Sequence, residues 1–221
     1  MSIAEPDTYL SELAGELRVH WPANRLVNIV CHGHSVPAGY FATPRVDTFN
    51  SYPHLLHRAL NDRFPYAPIN VIVTAIGGEN AVNGEKRFGD QVLCHLPDVV
   101  TIDYSLNDRG SGLEAAGTAW RSMIEAALAK DAKVILLTPT LDRIQATSPD
   151  VEKAKMLRDH ASQVRLLAEE YQIGLVDSAA AFDAYVEKGG HLTDLLSWSN
   201  HPNRAGHEIV AKHLLRYFPA G

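Results

Sequence analysis

Short β-branched runs alternate along this chain with longer stretches of helical periodicity. Leu26-Val-Asn-Ile-Val-Cys31 is an apolar run that stops at Gly33, the pattern of a strand covered on both faces. Ile69–Thr74, Val99–Tyr104, Lys133–Thr138 and the shorter Gly174–Asp177 repeat it. Between these runs apolar residues recur three and four apart. Leu55, Leu56 and Leu60 follow a capping Ser51, and Leu113, Ala116, Trp120, Met123, Ile124 and Ala127 follow Gly112. Leu157, Ala161, Val164 and Ala168 mark a third stripe within 152–171. Further helices are predicted at about 6–19, 87–95 and 180–187, and from Asn203 onward. Strand and helix in repeated alternation predict a five-stranded parallel sheet with helices on both faces, a three-layer α/β/α domain of flavodoxin-like kind. No Pro/Ser/Gly-rich linker or charge block divides the chain. One domain over 1–221 is expected, with its core at about 26–218.

In such a sheet, ligands bind beyond the carboxyl ends of the strands. Strand one ends in Cys31-His-Gly-His-Ser35, strand two in Thr74-Ala-Ile-Gly-Gly-Glu-Asn80 and strand three in Tyr104-Ser-Leu-Asn-Asp-Arg109. A fourth polar segment, Trp198-Ser-Asn-His-Pro-Asn-Arg-Ala-Gly-His207, precedes the last helix. A hydroxyl, glycine amides, a carboxamide and an imidazole are thereby expected at one rim, the parts needed for acyl transfer. Serine is a poor nucleophile unless a base stands within hydrogen-bond reach, and imidazole titrates in the right range. Ser35 and His201 are the candidate pair. The amides of Ser35 and Gly78 and the carboxamide of Asn107 are candidate donors to an oxyanion.

These four segments resemble the blocks of the SGNH (GDSL-type) hydrolases, named for Ser, Gly, Asn and His. Gly33-His-Ser35 matches the Gly-Asp-Ser block with His34 in place of Asp, Gly78 the second block, Ser105-Leu-Asn107-Asp108 the third, and His201-Pro-Asn the last. The match runs in order from about residue 27 to 216. It implies the SGNH hydrolase fold and an esterase, lipase or thioesterase that needs no cofactor. It also suggests carbohydrate O-deacetylation as one specialisation. One departure stands out. The family places an Asp three residues before the catalytic His, where this chain has Trp198. Asp194 could orient the ring if its loop folds back, or a backbone carbonyl could do so and leave a Ser–His dyad.

Rival readings weigh on the same residues. His32 and His34 form a His-x-His pair, from which a metal hydrolase could be built, although no longer ligand motif accompanies them. A catalytically silent ligand-binding module on the same fold would explain the missing Asp. Tyr40, Trp198 and Arg109 flank the blocks and are candidates to contact substrate. A net charge of −6 argues against a nucleic-acid or anionic-membrane surface, so a small-molecule ester is the expected partner. The acidic start, with no cation before Arg18, and the lack of any apolar run near ~18 residues point to a cytoplasmic protein.

Overall fold

The computed structural model describes residues 2–143 and 151–220. Its sheet has five parallel strands: β1 (Val27–Gly33), β2 (Ile69–Val73), β3 (Val99–Asp103), β4 (Lys133–Leu137) and β5 (Gly174–Val176), in the order β2-β1-β3-β4-β5. The helices are α1 (Pro6–Tyr9), α2 (Ser11–Glu16), α3 (Ser35–Ala38), α4 (Tyr52–Arg63), α5 (Ala81–Lys86), α6 (Phe88–Gln91), α7 (Ser105–Asp108) and α8 (Leu113–Leu128). Three more follow: α9 (Val151–Tyr171), α10 (Ser178–Glu187) and α11 (Arg204–Leu215).

The period of two along each strand splits its side chains between two cores. Ile29, Cys31, Ile135 and Leu137 pack with α2, α4 and α11 on one face. Val30, Val100, Ile102, Val134 and Leu136 pack with α8 and the second half of α9 on the other. Both faces are covered, which is why the strands read as continuous apolar runs. The expected segment 87–95 is not one helix. It divides into α6 and a 3₁₀ turn at Leu93–His95, and α5 precedes it. The short α3 and α7 follow β1 and β3 directly, so the residues after each strand end are folded back as single helical turns.

The strand order reverses its direction of growth between β1 and β3, and crevices open at such a point. Gly33 is paired with Asp103 across that seam. Ser35, Gly78 and Asn107 all follow the carboxyl ends of the three neighbouring strands β1, β2 and β3.

Candidate active site

β1 extends past its last apolar residue to Gly33 because no side chain fits there: a Cβ would lie 2.4 Å from the Asp103 backbone oxygen. The chain then turns into α3, capped by His34, whose Nδ1 accepts from the Val36 amide at 3.2 Å. An accepting Nδ1 leaves the ring hydrogen on Nε2. That atom is 3.3 Å from Asp103 Oδ1, an electrostatic contact without the alignment of a hydrogen bond. Ser35 is the first residue of α3 and is 6% exposed.

His201 arrives on a turn that its own neighbours hold. The Ser197 amide and hydroxyl donate to the His201 carbonyl at 2.9 and 3.1 Å. Asn203 caps α11 through the Gly206 amide and donates to the Asp194 carbonyl at 2.7 Å. The turn places His201 Nε2 2.9 Å from Ser35 Oγ, while Nδ1 is 2.8 Å from the carbonyl oxygen of Phe41. A carbonyl only accepts, so Nδ1 carries the hydrogen and the Nε2 lone pair faces the serine hydroxyl. Thr43 Oγ1 lies 3.4 Å from the same Nδ1. Burial holds the His201 imidazole below its ordinary pKa, and the Phe41 carbonyl opposes that shift by favouring the cation.

Across the seam, Asn107 sits on α7 and its Nδ2 donates to the Glu79 carbonyl at 2.9 Å. Asp108 beside it is structural: it accepts from the Ala81 amide at 2.7 Å and from Trp120 Nε1 at 2.8 Å. Gly78 has φ +79°, a left-handed conformation that glycine adopts without steric cost. Among the described residues, neither the Ser35 nor the Gly78 amide has a backbone acceptor. An oxyanion requires donors of this kind.

The expected role of Asp194 is corrected here. Its carboxylate accepts from the His191 amide at 2.9 Å and from the Tyr185 hydroxyl at 3.3 Å, and the ring of His201 is met by Phe41 instead. The 3₁₀ turn Leu192–Leu195 directs the Asp194 side chain back to its own start, closing a capping box with His191. Tyr40 does border the pair, its ring 6.0 Å from that of His201 and packed on Gly77, where a Cβ would be 2.9 Å away. Trp198 is 59% exposed on the turn that carries His201. Arg109 is tied to the buried Asp142 by an ion pair of 2.9 Å and donates to the Leu106 carbonyl. Those bonds commit two of its nitrogens to the protein rather than to a ligand.

His32 and His34 do not converge. His32 bonds to Thr74 Oγ1 at 2.9 Å and Tyr104 at 3.0 Å, whereas His34 caps α3. Among the described residues no three His, Cys, Asp or Glu side chains gather as a metal would need. Two hollows lie elsewhere: one of about 480 Å³ near Tyr9, Arg25 and Lys133, and one of about 750 Å³ between α5 and α8. Neither is lined by Ser35 or His201, and it is the chemistry of the grouped side chains that marks this site.

The model of the GDSL-like lipase/acylhydrolase family matches residues 31–209. The chain belongs to that family. It is therefore an enzyme that hydrolyses acyl esters. Solved structures similar to this GDSL-like hydrolase include the acetylxylan esterase Axe2 of Geobacillus stearothermophilus, 24% identical over 87% of this chain and 94% of that one, with TM-score 0.74. A putative GDSL-like lipase of Parabacteroides merdae is 19% identical over 88% and 96%, with TM-score 0.75. The Axe2 structures include catalytic mutants in which a serine, an aspartate or a histidine is replaced by alanine, the aspartate lying three positions before the histidine. No curated protein matches the sequence. Among the described residues no helix is long and apolar enough to cross a membrane.

Phe41 and Thr43 were not legible as partners of His201. The Phe41 carbonyl is a group common to every residue, so no side-chain signal announces it, and the Thr43 hydroxyl belongs to none of the four sequence blocks.

Proposed function

We propose that this GDSL-like hydrolase works through a Ser35–His201 dyad whose imidazole is oriented by a main-chain carbonyl. The observation that carries the reading is the ordered chain from Ser35 Oγ through His201 to the Phe41 oxygen, 2.9 and 2.8 Å long. His201 Nε2 takes the hydroxyl proton as Ser35 Oγ bonds to the acyl carbon of the ester. The carbonyl oxygen, now negative, is met by the amides of Ser35 and Gly78 and by the Asn107 N–H not given to Glu79. Collapse of this intermediate breaks the ester C–O bond, and His201 returns its proton to the departing alcohol. Water then repeats the sequence on the acyl-enzyme and releases the acid, with the hydroxyl of Ser35 restored.

The Phe41 carbonyl supplies direction and some stabilisation of the imidazolium but no full negative charge. His201 therefore stays neutral, and competent as a base, to lower pH than a histidine beside a carboxylate. The substrate is a small acyl ester. Acetylated carbohydrate is favoured among such esters by the similarity to acetylxylan esterases. Tyr40 and the exposed Trp198 are the side chains we assign to the alcohol or acyl portion.

A fluorophosphonate probe followed by mass spectrometry tests the nucleophile, with p-nitrophenyl acetate hydrolysis as the companion assay. Labelling at Ser35, lost in Ser35→Ala together with turnover, is the expected result. An unlabelled, inactive wild-type protein would favour the silent binding module. Activity that persists in Ser35→Ala and falls with a chelator would favour a metal hydrolase.

A further inference from the structure

Resting on that reading, we propose that Glu79 is a positioning residue: clamped by Arg87 and Tyr104, it holds both the Gly78 amide and the Asn107 carboxamide toward the developing oxyanion. Glu79 follows Gly78 in the chain, and its own carbonyl receives the Asn107 Nδ2 at 2.9 Å. One N–H of the carboxamide is thus fixed on the loop of β2, which leaves its second N–H in a defined direction. The two donors come from different strands, and residue 79 is where they are tied together.

The side chain of Glu79 explains why this loop keeps its shape. Its carboxylate receives Arg87 Nε at 2.9 and 3.0 Å, Arg87 Nη2 at short range, and the Tyr104 hydroxyl at 2.7 Å. Arg87 Nη1 in turn donates to the Thr74 carbonyl at 2.6 Å, at the end of β2. Tyr104 lies 3.0 Å from His32 Nε2, and His32 reaches Thr74 Oγ1. The carboxylate and guanidinium are only 9% and 12% exposed. A single carboxylate thus ties the loop to β1, β2 and β3, with each of its bonds charge-assisted or buried.

The charge matters as well as the geometry. An unpaired carboxylate one residue from an oxyanion donor would repel the negative charge that forms during acyl transfer. The bidentate Arg87 neutralises it, so the loop can be held by a strong acceptor without opposing the reaction. A fork of this kind is not reproduced by a lysine.

The test is a double-mutant cycle on p-nitrophenyl acetate, with the fold checked by circular dichroism. Glu79→Ala is expected to lower kcat by about tenfold or more, with KM within about twofold, because only the transition state meets the oxyanion donors. In an Asn107→Ala background the same change is expected to cost clearly less than in the wild type, since one of the two donors it positions is gone and only the Gly78 amide remains. If Glu79→Ala does not fold, Tyr104→Phe removes one hydroxyl from the clamp and carries the same cycle at smaller amplitude. Wild-type kcat in a folded variant, or an equal loss in both backgrounds, overturns the positioning role. Wild-type labelling at Ser35 shows in that case that the dyad itself still stands, whereas an unlabelled wild type overturns both.

Discussion

Replacing Asp194 by alanine separates a triad from a dyad in one step. Had Asp194 oriented His201, its loss would cut turnover by a factor on the order of 10⁴, as removal of the orienting acid does in a serine-protease triad. The structure assigns its carboxylate to other work: it accepts from the His191 amide at 2.9 Å and closes the cap of the Leu192–Leu195 turn. The His201 ring keeps its bond to Phe41 whether or not residue 194 has a carboxylate. Turnover should fall by less than about threefold, because the near-attack geometry of the dyad is untouched. Loss of an exposed cap costs about 0.5–1 kcal/mol. In a chain of 221 residues that is a fall of roughly 1–4 °C in Tm. Steady-state hydrolysis of p-nitrophenyl acetate and a thermal melt measure the two quantities on one preparation. A hundredfold loss of kcat without a change in Tm would refute the dyad, because the carboxylate would then be acting on the imidazole.

Three other outcomes follow from the same geometry. Asn107→Ala should reduce kcat by about 100-fold or more while the protein still folds, as loss of one oxyanion donor does elsewhere, and unchanged turnover would remove Asn107 from the reaction. Burial lowers the His201 pKa, so the acid limb of kcat/KM should have its midpoint below 6.5, and an inflection above that value would contradict the proposed environment. Acid should also unfold the protein early. Burial, reinforced by Arg87, lowers His32 to about 4, and burial with His201 nearby lowers His207 to about 3. Both are depressed, so the unfolded chain binds protons first; their contribution is full above about 6.5 and is lost as pH falls toward those values. For His32 alone this is roughly 3 kcal/mol. A urea midpoint that stays flat between pH 6.5 and 4.5 would be the contrary result.

Sequence alone determined the architecture, because apolar periodicity is a local property and the sheet buries both faces. The strand ends were legible for the same reason. Gly33 and the candidate residues Ser35, Gly78, Asn107 and His201 could be picked out since close packing, or the proposed chemistry, asks for a particular residue type at each. Tertiary structure decided what the residue types could not. Phe41 meets His201 through a carbonyl that every residue carries, and Asp194 turns away because a 3₁₀ turn directs its side chain to its own N-terminus. Glu79 and Arg87 follow β2, Tyr104 follows β3 and His32 lies in β1, and they become one clamp only where β1, β2 and β3 lie side by side. Orientation of a hydrogen bond depends on a few tenths of an ångström between distant segments, and no spacing along the chain encodes that.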